Sequence, residues 1–490
     1  MENNQHTLKK KASFTGSLGF VLAAAGSAVG LGNIWRFPYL AANGGGGLFI
    51  LVYIILALTV GFALLTTDIV IGRKTGKNAL HAFADVAKKW KFLGILTFVV
   101  PSLILTYYTV VGGWVLKYLF EYMRFNGATL ANDVITGAGE TSSYFINFLT
   151  KSDYAPIVFL LIFFGATALI VFGGVEKGIE KFSRFIMPCL LVLIVIIAAF
   201  VITRSYTDPE TGVKRTGLEG MAIYLIPSFK GVSVSKFLQI VLDAVCQLFY
   251  SLSVSMGIMV TYGSYVEKDV NINKSVMQIE IFDTGVAILA GLMVIPAVYV
   301  FQGLDGMAQG AGLMFISLPK VFQSMGTIGN IVGILFFVMV LFAALTSSVS
   351  IMEAVVAGFM ETFKKSRKLI SVVVFIVFSA LSVLVCLGYN EDVWLFNVTL
   401  PNGKSGQQLL DVIDYISNNL LMPIVSFLTC ILIGWVVKPK WIKEEILIGS
   451  DKFGRERLYN VIIRYIAPAL MVIIFATAIG LDRIIIGLFK

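Results

Sequence analysis

Charge is what this chain has least of. Only 14% of its 490 residues are Asp, Glu, Lys or Arg, while 57% are hydrophobic, and the mean hydropathy is +0.87. A water-soluble fold cannot bury that much apolar surface, whereas a bilayer can cover it. Histidine is nearly absent: His6 and His81 stand alone, too few and too scattered for a metal site. Cys189, Cys246, Cys386 and Cys430 all fall inside apolar runs, which argues against an extracellular disulfide framework. There is no acidic tail, coiled coil or low-complexity tract. The glycine run at 44–47 lacks the Gly-Lys-Ser/Thr that a phosphate loop requires and reads as a tight connection between spans.

Long apolar runs are what the chain does have. A spanning helix needs about 20 apolar residues, and about eleven runs qualify. They lie near 17–41, 46–71, 93–123, 155–174, 184–203, 236–265, 276–301, 329–362, 369–388, 409–437 and 460–480. The basic run Lys9-Lys10-Lys11 leads into the first span without an A-x-A-type cleavage site, so it does not read as a signal peptide. With the N-terminus in the cytoplasm, roughly 25 of the 38 Lys+Arg fall on the inner side, as the positive-inside rule asks. Eleven spans then place the C-terminal tail outside. The net charge of +9 reports topology and anionic lipid, with nucleic-acid binding the weaker reading.

Two of the spans interrupt themselves. The first reads LGFVLAAAGSAVGLGNIWRFPYL, cut by Gly26, Gly30, Gly32 and Asn33 and followed by Arg36. Each interior glycine costs a helix about 1 kcal/mol, and backbone freed at mid-membrane persists only where it lines a cavity or binds something. A glycine-rich helix in close packing is the alternative. The sixth span, IVLDAVCQLFYSLSVSMGIMVTYGSY, is interrupted by Gln247, Ser251, Ser253, Ser255 and Gly257. Broken helices at matching positions in two halves point to an inverted-repeat transporter. Their half-helix ends suit a zwitterion together with a small cation. Thr346, Ser347 and Ser348 put three successive hydroxyls into the eighth span, where a lone hydroxyl would bond back to its own helix. Together with two broken helices they point to a hard cation such as Na⁺. Tyr107 and Tyr108 sit mid-span in the third run. Asp283, in the seventh, needs a cation or a proton to stay in the membrane. Asp283-Thr284-Gly285 also matches the aspartic-protease tripeptide, but that chemistry needs a second such carboxylate and the chain has no second motif.

The segments GSAVGLGNIWRFPY, GIEKFSRFIMP, SLSVSMG, DTGVAILAGLMVIPA, LTSSVSIME and RYIAPA resemble the neurotransmitter:sodium symporter family over nearly the whole chain, and in its bacterial eleven-helix form. The resemblance implies an all-α polytopic membrane protein of the leucine-transporter fold, with two inverted five-helix repeats whose helices 1 and 6 are broken. The first repeat would occupy 1–235 with the N-terminal tail, the second 236–437, and 438–490 would hold a cytoplasmic loop and helix 11. One Na⁺ would lie among the carbonyls of Gly26, Val29 and Ala343 and the hydroxyls of Thr346 and Ser347. A second would touch the Ala28 carbonyl, Asn33, Ser251 and the carboxylate of the substrate, and that shared contact would couple the two. Gly30 leaves room for a substrate carboxylate, where monoamine carriers of the family have an aspartate, so an amino acid is expected. Its pocket would be Ser27, Ala28, Gly30, Ile104, Tyr108, Tyr250, Ser251, Ser253, Met256, Ser347 and Ile351.

The sequence departs from the family at telling positions. Leucine-transporting members carry phenylalanine where Tyr250 and Met256 stand, and the adaptable methionine favours aromatic partners, so a large hydrophobic or aromatic amino acid such as tyrosine is expected. Of the chloride-site residues, Tyr53, Gln247 and Ser251 are present, but the seventh-helix serine is Val286. Asp283, one turn earlier on the same face, would supply the missing negative charge or ligate the second Na⁺. Chloride-independent symport follows, with Asp283 open to proton counter-movement. Arg36 and Asp414 would form the outer gate above Tyr108. Lys11 and Glu361 replace an inner arginine–aspartate gate, without the bidentate fork of arginine, and Phe14 replaces a tryptophan. A non-enzymatic, sodium-coupled amino-acid symporter of the cytoplasmic membrane is the reading. A ligand-gated channel or a non-transporting amino-acid sensor on the same scaffold is the alternative.

Overall fold

Backbone amides in hydrocarbon must be satisfied within their own segment, and the apolar runs accordingly fold as helices. A computed structural model describes residues 13–135, 141–151, 154–209, 211–229, 231–307, 310–390 and 397–481. Among these, nine helices are long and apolar enough to cross a membrane, and one further bent pair qualifies as a span. The bent pair is α1 (Ser17–Ala28) and α2 (Gly32–Asn43), which meet at 55°. The nine are α3 (Gly47–Thr75), α4 (Lys88–Met123), α5 (Ala155–Phe172), α6 (Val175–Ile202), α9 (Ile272–Gln302), α10 (Thr327–Phe363), α11 (Arg367–Leu387), α12 (Leu409–Val436) and α13 (Glu456–Ala478). The expected sixth span is the pair α7 (Val234–Ser251) and α8 (Ile258–Gly263). It is less apolar than the nine because Lys236, Gln239, Asp243 and Gln247 interrupt α7 at three- and four-residue spacing.

Close packing places the broken helices at the centre. Helix α1 lies against α6, α9 and α10, while α7 and α8 run along α3. A β-carbon on Gly72 would lie 1.8 Å from the Val260 carbonyl oxygen, and one on Gly263 would lie 2.3 Å from that of Ile69. Small residues on both helices thus allow backbone-to-backbone approach, the usual device where lipid gives no hydrophobic drive to associate. The run at 44–47 is the expected tight connection: Gly45 and Gly46 take φ of +79° and +58°. Residues outside the spans add two short antiparallel hairpins, Asp133–Ile135 with Thr141–Ser143 and Ser205–Thr207 with Lys214–Thr216. An all-helical expectation misses these, since three-residue strands leave no periodic signal. π-type turns at Gly32–Arg36, Ala57–Gly61, Val175–Glu180 and Tyr415–Leu421 are likewise silent in the hydrophobic pattern. All four cysteines are free thiols.

Candidate substrate and ion site

Both breaks open where the glycines and serines interrupt the apolar runs. Helix α1 ends at Ala28, and Val29 leaves it with φ −75° and ψ 93°. The freed Ser27 carbonyl accepts from Ser347 Oγ of α10 at 3.1 Å and from Ser253 Oγ of the other break at 3.2 Å. One backbone oxygen therefore ties both broken helices to the eighth span. In the second break Ser253, Ser255 and Gly257 adopt φ of +52°, +61° and +73°. Left-handed backbone costs a serine about 1–2 kcal/mol, so this conformation is held by its surroundings. Asp68 of α3 provides part of the hold, its carboxylate accepting from the Ser255 amide at 2.8 Å. Sequence reasoning passed over Asp68, although a carboxylate in the second apolar run was a sufficient signal.

Asp283 of α9 is fully buried and accepts three hydrogen bonds. Ser251 Oγ donates at 2.7 Å, Asn33 Nδ2 at 2.8 Å and Tyr53 Oη at 3.3 Å. Ser251 also lies 3.2 Å from Asn33 Oδ1, and Gln247 Nε2 donates to the Gly32 carbonyl at 3.2 Å. Asn33 and Ser251, expected at the second Na⁺, and Tyr53, expected in the anion region, thus meet on the one carboxylate of Asp283, while Gln247 turns to Gly32 and Ala28 lines the cavity. Val286, one turn on, is buried without a polar atom. The partners of Asp283 are an amide and hydroxyls, an environment unlike the paired carboxylates of an aspartic protease.

Beside this cluster lies a cavity with ≈ 370 Å³ of empty space. Ser27, Ala28, Gly30, Ile104, Tyr108, Tyr250, Ser253, Met256, Ser347 and Ile351 all line it, as expected, and Leu31, Gly32, Asn33 and Ile258 line it in addition. Ser251, expected there too, does not: its hydroxyl turns to Asp283 and Asn33. The Tyr108 hydroxyl ends in the cavity without a hydrogen bond of ordinary geometry. A β-carbon on Gly30 would sit 3.3 Å from that hydroxyl and 2.8 Å from Ser347 Oγ. A donor held this loosely, with only Ser347 and the Leu31 backbone near it, beside backbone stripped of side chain is an arrangement that suits an anionic group.

Residues 11–133 and 153–482 match the model of the sodium:neurotransmitter symporter family. The chain belongs to this family. An uncharacterized sodium-dependent transporter of Bacillus subtilis, YhdH, is 31% identical over 96% of this chain and 99% of its own. The sodium- and chloride-dependent taurine transporter of Canis lupus familiaris is 25% identical over 87% of this chain and 72% of its own length. The crystal structure of MhsT in complex with L-phenylalanine superposes with a TM-score of 0.79 at 33% identity, covering 96% of this chain and all of that one. This symporter is therefore sodium-dependent and has the inverted-repeat, polytopic helical fold.

In this symporter the three hydroxyls of α10 diverge in role. Thr346 Oγ1 lies 3.0 Å from the carbonyls of both Phe342 and Ala343. Ser347 crosses to α1, 3.1 Å from the Ser27 carbonyl and 3.5 Å from that of Val29, and Ser348 accepts from Thr167 of α5. Gly26 faces this corner, since a β-carbon there would meet Thr346 Cβ at 3.3 Å. Ala343, Thr346, Ser347, Gly26 and Val29, the expected first Na⁺ set, converge.

The gates differ from expectation. Arg36 and Asp414 share no ion pair. The guanidinium lies 5.7 Å above the Tyr250 ring, and Asp414 accepts from Asn418 at 2.6 Å, which also donates to Tyr107 at 3.0 Å. Arg36 and Asn418 face an outer cavity with ≈ 640 Å³ of empty space, and Tyr250 lines both this cavity and the inner one. Tyr250, rather than Tyr108, is the partition beneath Arg36. Lys11 lies outside the described residues, while Glu361 accepts from Asn78 Nδ2 at 2.5 Å. Phe14 is buried against Phe20, Tyr262 and Tyr265, and its amide donates to the Tyr265 carbonyl. The Tyr265 hydroxyl in turn donates at 2.7 Å to the fully buried Glu353, which Arg367 grips with both Nη atoms. This network escaped the sequence reading, although Glu353 within the eighth span signalled it.

Proposed function

We propose that this symporter moves a large hydrophobic or aromatic L-amino acid, such as tyrosine, together with two Na⁺, by alternating access around the cavity at the two breaks. The observation that carries the reading is the Tyr108 hydroxyl, close to Ser347 and the Leu31 backbone but without a hydrogen bond of ordinary geometry, beside Gly30. A substrate carboxylate fits between it and the freed backbone of the first break. The substrate side chain would extend toward Tyr250, Met256, Ile104 and Ile351, a largely apolar wall. MhsT, seen with L-phenylalanine, supports the size class.

In this reading the first Na⁺ takes Gly26, Val29, Ala343, Thr346 and Ser347. The second takes Ala28, Asn33, Ser251 and the substrate carboxylate, with Asp283 supplying negative charge so that chloride is not needed. In support, relatives named only as sodium-dependent reach 31% identity, while the taurine transporters named as chloride-dependent stay near 25%. The repeats divide at 1–235 and 236–437, followed by 438–490. The protein lies in the cytoplasmic membrane with its N-terminus inside and its C-terminus outside, and the Tyr250 ring beneath Arg36 closes the outer path.

Uptake of radiolabelled tyrosine, tryptophan, leucine and alanine into proteoliposomes tests the reading, with and without an inward Na⁺ gradient and with chloride replaced by gluconate. Concentrative uptake of the aromatic labels that needs Na⁺ and not chloride is expected. Binding without accumulation would make the protein a sensor, and equilibration indifferent to Na⁺ would make it a channel; either overturns the proposal.

A further inference from the structure

The ends of α12 and α13 that carry the loop between them form a third pocket, rimmed by charged side chains and sharing no lining residue with the substrate cavity. Its empty volume is ≈ 870 Å³, and four of its lining residues are cationic: Lys438, Lys440, Lys443 and Arg464. Its two carboxylates are engaged elsewhere or locally. Glu444 pairs with Lys74 at 3.1 Å, and Glu456 with Lys443 at 2.9 Å. Among the described residues, Lys438, Lys440 and Arg464 therefore meet no carboxylate within ion-pair distance. Three uncompensated cations converging on one concavity repel one another unless an anion joins them.

The pocket is also shaped rather than merely basic. Lys438 holds a left-handed φ of +69°, a conformation that costs a side-chain-bearing residue about 1 kcal/mol or more. It turns the chain sharply from α12 into the short helix Lys440–Ile446. Arg464 Nε donates to the Gly434 carbonyl at 3.1 Å, which fixes the guanidinium plane. Trp435 Nε1 donates back to the Arg464 carbonyl at 3.1 Å, so the two helices are stitched together at this depth.

The surroundings identify the kind of anion. Trp435 and Tyr465 stand 53% and 56% exposed and pack edge to face at 5.6 Å. Val436 and Val461 continue the same exposed apolar surface. Tryptophan and tyrosine mark the level of lipid headgroups, and basic pockets between helices at that level receive phosphate headgroups. We propose that this pocket binds the phosphate headgroup of an anionic phospholipid, held by Lys438, Lys440 and Arg464, with its acyl chains along Trp435, Val436 and Tyr465. The inference rests on the multi-pass membrane fold and is independent of the substrate assignment.

The test uses the full chain in phosphatidylcholine nanodiscs with increasing cardiolipin or phosphatidylglycerol, bound lipid being counted by native mass spectrometry. The wild type should retain anionic lipid in preference to phosphatidylcholine, and retention should fall as salt is raised. The double variant Lys438→Gln/Lys440→Gln should bind it about 30-fold more weakly, at roughly fivefold for each lysine near the surface. A control, Lys88→Gln/Lys89→Gln, removes two lysines from the start of α4 and should leave retention unchanged. Equal retention by the double variant, or an equal loss in the control, would overturn the site. Displacement of the lipid by millimolar inorganic phosphate would overturn the lipid assignment in favour of a free-anion pocket. If the double variant does not fold, the wild-type salt titration decides alone: retention indifferent to salt would sink the proposal.

Discussion

Replacing Asp283 by asparagine removes one negative charge and almost no volume from a fully buried polar cluster. Three donors, from Ser251, Asn33 and Tyr53, converge on this carboxylate at 2.7, 2.8 and 3.3 Å. An asparagine oxygen can accept from one or two of them, but its NH₂ must then point at a donor. The larger effect is electrostatic. A carboxylate about 5 Å from a bound Na⁺, at an effective dielectric near 20, attracts it by about 3 kcal/mol. That corresponds to roughly a hundredfold in ion affinity. Radiolabelled tyrosine binding, titrated with Na⁺ in gluconate salts, should therefore show its half-saturation raised about 100-fold in Asp283→Asn. Repeating the titration in chloride should recover part of the loss, because Tyr53 and Ser251 would be free to donate to the halide. The reasoning is refuted if the variant keeps the wild-type Na⁺ dependence in both salts, or if the wild type itself requires chloride.

Two further expectations follow from groups with contrasting partners. Tyr108→Phe should fold normally, since the hydroxyl makes no ordinary protein hydrogen bond, yet lose roughly 10- to 100-fold in substrate affinity, the worth of a bond to a charged group; equilibrium binding and a melting curve separate the two. Arg367→Ala leaves the fully buried Glu353 with only Tyr265 as partner, which should cost about 3–5 kcal/mol. Thermal unfolding in detergent should show the loss, and adding Glu353→Gln should recover much of it; an unchanged melting temperature would mean the pair carries no stability.

What the sequence made legible was chiefly what lipid forbids. Glycines and serines inside apolar runs located both breaks, because backbone polar groups in hydrocarbon must be either paired or in use. Asp283 in the seventh span was legible for the same reason, whereas Glu280, nearly one turn before it, is buried against Arg455. Asp68 and Glu353 carry that signal as well, but their partners, the Ser255 amide and the Tyr265–Arg367 pair, come from other segments that no local pattern links to them. Facing direction was less legible. Ser251 stands on the same broken helix as Ser253, but one turns to Asp283 and the other to Ser27. Only the left-handed residues of the break decide which, and serine is not the residue from which such a conformation is read. The outer gate was illegible for another reason. A pairing of Arg36 with Asp414 depends on how far two helices stand apart, and Asn418 lies close enough to take the carboxylate first.

Tyr250 lines both the outer and the inner cavity, so its ring stands between the two chambers. Swinging one ring is a side-chain event, fast compared with the microsecond-to-millisecond rearrangement of whole helices. On the proposed reading, candidate substrates would enter, be tried against Met256 and Tyr108, and leave many times before the repeats rock once. Selection between amino acids would then be a matter of equilibrium occupancy, settled before the slow step begins, and a competitor would be rejected by its residence in the inner chamber rather than by its rate of passage.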